Sequence, residues 1–320
     1  MNELALFTGA GGCSSMESLI RSRPMKIKAI APWFGGKRTL APKVVQQLGK
    51  HTQYFEPFCG SMAVLFAKEA TPQETVNDLH NDLTNLAWVL QDQAMAVDLY
   101  DRITRVLFSE SFIRAIWKDL AESEFESPCS DRAFKYLVFS WAMRNGVSGT
   151  ARMRGNGFQM ATRFTPGGGS PTVRFRSAIE SIPEWHDRLR NVVILNRDGL
   201  KLLDRFEDSE KLAIYADPPY MPETRSGYES SGATSRYEHE FDHNNPMFGD
   251  DHLELKETLS RFKKARVVVS YYDCDRLRRL YDGWNFIKLN AKKMIKQQNA
   301  RGRHHTEAPE VLIVNGEVLE

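Results

Sequence analysis

The residues best suited to do chemistry are Asp217-Pro218-Pro219-Tyr220, which follow the apolar run Leu212-Ala213-Ile214-Tyr215-Ala216 with no spacer. A short apolar run of this kind reads as a buried strand. Proline has no backbone N–H and disfavours helix in the residue before it, so the strand stops at Asp217 and a stiff, extended corner follows. That corner fixes a carboxylate, free carbonyls and an aromatic face side by side. A carboxylate held in this way can serve as a general base or as a hydrogen-bond acceptor, and the ring can stack. In open α/β sheets the carboxyl ends of strands are where ligands sit.

Four further groups have types and spacings that could serve the same site. Trp33-Phe34-Gly35-Gly36-Lys37 offers a flat ring, two glycines that allow close backbone approach, and a cation for a carboxylate. The plain alternative is a loop around a buried Trp. Gln53 to Gly60, including Glu56 and Phe58, leads into Ser61 to Ala67 as strand, turn and helix, which would point helix N–H groups at a ligand. Glu74 to Asp78 reads as a second strand ending in an acid, the position that holds a ribose diol in nucleotide-binding α/β folds. No GxGxxG accompanies it, so a cofactor with adenosine but no phosphate fits better than a dinucleotide. Asp198 again follows a strand, Val192 to Leu195, with helix capping as its plain alternative.

Two segments are one-signed. Residues 141–176 carry Arg144, Arg152, Arg154, Arg163, Arg174 and Arg176 and no acid, interleaved with glycines, Asn145, Asn156 and Gln159. Residues 291–306 hold Lys292, Lys293, Lys296, Arg301, Arg303, His304 and His305. Mobile basic segments with amide side chains suit phosphate and base-edge contacts. The chain as a whole is only +2, so a nucleic-acid surface must come from uneven placement of charge.

These residues need a frame. Apolar periodicity predicts a helix near 40–48, helices through 79–143, a helix around 179–189, helices at 251–263 and 275–281, and strands at 266–272, 284–289 and 310–315. Alternating strands and helices make this an α/β protein, with 83–189 as an inserted helical and Arg-rich lobe between the two parts of a sheet domain, 25–82 and 190–320. Glu-rich 122–126 reads as a solvated face. Residues 1–24 form an extension in which Leu4 to Gly12 resembles a strand and glycine turn, although a flexible tail is the plainer reading. With 320 residues, 42% of them hydrophobic, the chain can bury a large core. Its four cysteines, Cys13, Cys59, Cys129 and Cys274, form no CxxC pair, which argues against a disulfide framework and a structural zinc and suits a reducing cytoplasm. No apolar run reaches membrane-spanning length.

Taken in order, Trp33-Phe34-Gly35-Gly36-Lys37, Glu56-Pro57-Phe58-Cys59-Gly60, Asn77-Asp78-Leu79, Arg144-Asn145-Gly146, Asp217-Pro218-Pro219-Tyr220 and Glu310-Val311-Leu312-Ile313 resemble the Dam-like DNA adenine-N6 methyltransferases. The resemblance implies a Rossmann-like S-adenosylmethionine-dependent methyltransferase sheet with an inserted helical DNA-recognition lobe. It implies that Trp33, Gly35, Gly36 and Lys37 flank the cofactor and that Glu56, Phe58 and Gly60 line its site. Asp78 would hold the ribose, Asp198 would lie near the adenine, and Asp217 would belong to both cofactor and catalytic sets. Arg144, Asn145, Arg152, Arg154, Arg163, Arg301 and Arg303 would bind double-stranded DNA. No metal is implied, and a cognate restriction enzyme is a possible partner. One departure stands out: the family often has glycine where this chain has Met62.

The implied reaction sets the role of the corner. Adenine N6 is a poor nucleophile because its lone pair is conjugated with the ring. Acceptors at Asp217 and the Pro218 carbonyl would favour the pyramidal amine and stabilise its developing charge. Tyr220 would stack on the base, which must leave the duplex. Three alternatives stand beside this one. N4-cytosine methylation presents the same amine chemistry. A cytosine-C5 enzyme would use Cys129, which lies between helical patterns rather than at a strand end. A catalytically silent DNA-binding relative is the third.

Overall fold

The computed structural model describes residues 27–33, 35–122, 127–142, 170–221, 251–289, 291–292, 307–308 and 310–320. Among them are nine strands: β1 (Gln53–Glu56), β2 (Gln73–Asn77), β3 (Val193–Leu195), β4 (Leu212–Ala216), β5 (Arg266–Tyr272), β6 (Asn285–Lys288), β7 (Ala291–Lys292), β8 (Glu307–Ala308) and β9 (Glu310–Val314). Seven build one sheet in the order β3-β2-β1-β4-β5-β9-β6. The first five run parallel, and β9 enters antiparallel between β5 and β6. From β1 the chain steps outward to β2 and β3, whereas from β4 it steps the other way to β5. The order therefore reverses between β1 and β4, and a crevice opens at their carboxyl ends.

Strict alternation along β4 explains why this sheet is covered on both faces. Ala213 and Tyr215 join one cluster of buried side chains, while Leu212, Ile214 and Ala216 join the other. The first face carries α1 (Ala41–Leu48), α2 (Ala63–Ala67), α3 (Asn81–Gln91), α4 (Gln93–Thr104), α5 (Glu110–Glu122), α6 (Ser130–Ala142), α7 (Pro171–Ile179) and α8 (Ile182–Leu189). The second carries α9 (Gly199–Leu203), α10 (Asp251–Leu259) and α11 (Asp275–Leu280). All five residues of β4 are buried, as a central parallel strand requires.

Local chemistry starts several of these helices. The His80 ring accepts from Leu83 N–H at the head of α3, Asp92 accepts from Met95 N–H at the head of α4, and Ser170 accepts from Val173 N–H before Pro171 in α7. Helix α7 is a departure from expectation. Arg174 and Arg176, read as part of a mobile segment, lie on an ordered helix because Ser170-Pro171 forms a cap and Phe175, Ala178 and Ile179 are buried. The second basic segment is closed at its base by an unforeseen antiparallel pair, Ala291 with Ala308 and Lys292 with Glu307.

Indole N–H groups tie the helical layer to the segment before α1. Trp141 donates to the Ile30 carbonyl at 3.2 Å and Trp185 to the Ile27 carbonyl at 2.7 Å. Ile30 N–H in turn reaches the Ser61 carbonyl at 3.2 Å. These bonds carry Trp33 over the start of α2 and to the mouth of the crevice.

Candidate active site

The crevice sits at the switch between β1 and β4 and encloses about 980 Å³, including its solvent-open mouth. Its walls include Trp33, Gly35, Gly36, Lys37, Glu56, Phe58, Gly60, Asp78, Asp217, Pro218, Pro219 and Tyr220. Four groups far apart in sequence thus meet in one place.

One end is a cradle built on β1 and β2. Asp78 is half-buried and is fixed by two backbone donors: Gly60 N–H at 2.8 Å on Oδ2 and His80 N–H at 2.9 Å on Oδ1. Asn77, one residue earlier, is fully buried. Its amide donates to the carbonyls of Pro57 (2.9 Å) and Arg197 (2.8 Å) and accepts Arg197 N–H (2.9 Å), so one side chain locks the turns after β1, β2 and β3. Gly60 has φ +46°, and a Cβ there would lie 2.7 Å from the Trp33 indole nitrogen. Glycine is needed because the indole packs on its backbone. The Trp33 ring also meets His80 edge-on at 5.3 Å.

Met62 resolves the departure noted in the sequence. Its φ is +63° and ψ +29°, the left-handed region that favours glycine, and its side chain is fully buried. The backbone therefore keeps the turn that a glycine would supply, and packing of the Met side chain offsets a cost of about 1–2 kcal/mol.

The other end is a charged cluster on β4, β5 and β9. Asp217 Oδ1 accepts from Ser270 Oγ at 2.7 Å, and Ser270 is hydrogen-bonded to Tyr215 at 3.0 Å. Asp217 Oδ2 pairs with the Lys37 ammonium at 2.9 Å. Lys37 also pairs with Glu310 at 3.2 Å and donates to the Gly35 carbonyl at 2.8 Å. Tyr220 Oη donates to Glu310 at 2.8 Å. Burial raises the Asp217 carboxyl above the usual range, with Lys37 opposing. Burial likewise drives Glu56 well up, although its carboxyl accepts from Tyr54 at 2.8 Å. A carboxyl in such a place ionises readily only beside a cation.

Three expected site residues have partners of their own within the protein. Lys37, expected beside a cofactor, lines the crevice and binds Asp217 and Glu310 there. Tyr220 lines the crevice yet is only 4% exposed; its ring has Lys37 Nζ 4.9 Å from its centre and meets Tyr272 edge-on. Asp198 caps α9 through Leu200 N–H, and the crevice wall at that strand end is Gly199, packed so close to Pro57 and Phe58 that a Cβ would reach 2.8 Å from a carbonyl. Cys129 lies before α6, where its carbonyl accepts from Asn85, and takes no part in the crevice. Arg144, Asn145, Arg152, Arg154, Arg163, Arg301 and Arg303 lie outside the described residues.

Sequence reasoning missed Ser270, Tyr54 and the latch role of Asn77, and named Glu310 only as the start of the last motif strand, with no site role. Ser270 and Glu310 are polar residues in otherwise apolar strands, and that is the signal that could have singled them out. Among the described residues, no group of three or more His, Cys, Asp or Glu could hold a metal, and no helix is long and apolar enough to cross a membrane.

A seven-stranded sheet reversing at β1 and β4, with an acid-Pro-Pro-Tyr corner at its crevice, is the architecture of an α/β methyltransferase. Residues 33–295 match the D12 class N6 adenine-specific DNA methyltransferase family, and the chain belongs to that family. It is 25% identical over 310 residues to the type II methyltransferase M1.LlaDCHI of Lactococcus lactis subsp. cremoris, covering 93% of this chain and 99% of the relative. It is 23% identical over 286 residues to the DNA adenine methylase of Vibrio cholerae, covering 88% and 94% respectively. Against the retron Ec67 DNA adenine methylase of Escherichia coli it is 25% identical over 295 residues, covering 91% and 92%. The enzyme is a DNA methyltransferase acting at adenine N6.

Proposed function

We propose that this enzyme draws its methyl group from S-adenosylmethionine and delivers it to the N6 amine of an adenine turned out of double-stranded DNA. The observation that carries this reading is the Asp217 carboxylate, clamped by Ser270 and Lys37 at the end of β4, in the same crevice as Asp78. The cradle fits the cofactor. Asp78 presents a half-exposed carboxylate for a ribose diol, Trp33 and Phe58 give flat apolar walls, and the sequence carries no GxGxxG motif. Glu56 and the backbone at Gly35, Gly36 and Gly60 would hold the polar amino-acid end. S-adenosylmethionine supplies a methyl group activated by a positive sulfonium.

The chain's own groups act on the amine. Asp217 and the Pro218 carbonyl accept N6–H bonds, which draws the lone pair out of conjugation and toward the donor. Two prolines keep those acceptors aimed with little reorganisation. The Asp217 carboxylate, accepting the amine, stabilises the positive charge that develops there. Tyr220 forms the wall against which the base stacks, and turning the base out of the duplex gives the amine access to this recess. Loss of the amine proton follows methyl transfer, so no dedicated base is required. The test is Asp217→Ala with tritiated cofactor and genomic DNA from a bacterial strain lacking adenine methylation. Label transfer falls by about a hundred- to a thousandfold, the scale of losing a preorganised acceptor. Undiminished transfer would sink the assignment.

A further inference from the structure

We propose that Glu310 is a positioning residue for methyl transfer: it is the second carboxylate that keeps the Lys37 ammonium when the incoming amine occupies Asp217. The inference rests on the reading of Asp217 as amine acceptor. It concerns a residue given no site role in the sequence reading, where it only opened the last strand of the motif series, and one outside the walls of the crevice.

The geometry sets up a conflict that Glu310 resolves. Both Asp217 oxygens are engaged, Oδ1 by Ser270 and Oδ2 by Lys37. The same ammonium lies 4.9 Å from the centre of the Tyr220 ring. Lys37 therefore stands both on the acceptor and over the stacking face that the base requires. Its side chain is only 5% exposed, so releasing it without a partner would leave a buried, uncompensated charge. Glu310 already holds it at 3.2 Å and accepts the Tyr220 hydroxyl on the same oxygen. Moving the ammonium from a shared position to Glu310 keeps it paired, frees Oδ2 and uncovers the ring.

The placement of Glu310 supports this role. It opens β9, whose five residues are all buried and otherwise apolar, and it is held opposite Tyr272 of β5 while its carbonyl accepts Leu289 N–H at 2.9 Å. A buried acid here, only 9% exposed, is costly unless paired. Its partners are the two residues that must rearrange when the base arrives.

The experiment measures single-turnover label transfer to the same unmethylated genomic DNA, together with S-adenosylmethionine affinity and thermal melting, for Glu310→Gln, Glu310→Asp, Lys37→Met and the Lys37→Met/Glu310→Gln pair. The amide of Glu310→Gln can still accept from Tyr220 but no longer attracts the ammonium. Transfer by Glu310→Gln is expected to slow by about ten- to a hundredfold, the range of one hydrogen bond to a charged group. Cofactor affinity stays within about twofold, since Glu310 does not line the crevice. Glu310→Asp retains the charge at shorter reach and slows less than Glu310→Gln. Once Lys37 is gone, removing the Glu310 charge adds no further loss, because Glu310 acts through Lys37. A wild-type rate in Glu310→Gln, or losses that multiply in the pair, would overturn the proposal. If Glu310→Gln fails to fold, Glu310→Met takes its place, and a wild-type rate in that variant overturns it. Asp217→Ala in the same assay separates the two claims: full activity there removes the amine-acceptor reading, whereas an inactive Asp217→Ala beside an unaffected Glu310→Gln removes only the role of Glu310.

Discussion

Asp217 is the residue on which the chemistry turns, and its surroundings make a pH prediction. Burial raises its carboxyl above the usual aspartate range, with the Lys37 ammonium and Ser270 hydroxyl limiting the rise. Only the ionised carboxylate accepts both the Ser270 hydroxyl and the N6–H without offering a competing proton. Transfer is therefore full above the raised value and is lost as pH falls through it, at a higher pH than a free aspartate would impose. A single-turnover pH–rate profile should show this acid limb displaced upward; an acid limb at or below the ordinary aspartate value would contradict it. At this scale the sequence was informative where chemistry is local. Asp217-Pro218-Pro219-Tyr220 announces a rigid acceptor because proline acts on its own neighbours. Ser270 was silent and Glu310 had no assigned role, because their importance lies in pairing across 53 and 90 residues of chain. Lys37 was legible as a cation for a carboxylate, but not which carboxylate.

At the scale of elements, the strands were readable because the sheet is buried on both faces and its strands are short apolar runs. Helix α7 was not, because its arginines masked a capped turn with three buried apolar side chains. The elements are also pinned by polar contacts that periodicity does not reveal. Glu74 on β2 takes an ammonium from Lys68 and a bidentate guanidinium from Arg188 on α8, and it also accepts Thr71 N–H. Burial would raise the Glu74 carboxyl, but Arg188 and Lys68 outweigh it and hold it below the usual range. Its contribution to stability is present above the ordinary glutamate pKa and is lost as pH falls through the depressed folded value. Glu74→Gln removes the carboxylate from between the Lys68 and Arg188 cations and should cost about 3 kcal/mol in urea denaturation. A change under about 0.5 kcal/mol would show that the cluster is not a structural pin.

For the whole molecule, a net charge of +2 conceals two basic segments, and the duplex is proposed to meet the chain there. If Arg152 and Arg154 contact phosphate or base edges, Arg152→Ala or Arg154→Ala weakens DNA binding while cofactor affinity stays unchanged, and each lost phosphate contact lowers the salt slope by about one. Equal loss of both affinities would contradict that placement. The sheet and its crevice could be anticipated from strand order and motif spacing, since both follow from one continuous chain. The recognised DNA sequence could not, because it depends on which side chains reach which base edges.

The central claim is that this crevice methylates adenine at N6 through Asp217. Its most direct test is mass spectrometry of nucleosides from unmethylated genomic DNA treated with labelled S-adenosylmethionine and either the wild-type enzyme or Asp217→Ala. Labelled N6-methyldeoxyadenosine from the wild type and none from the variant is the predicted result. Label in N4-methyldeoxycytidine, or equal label from both proteins, would contradict it.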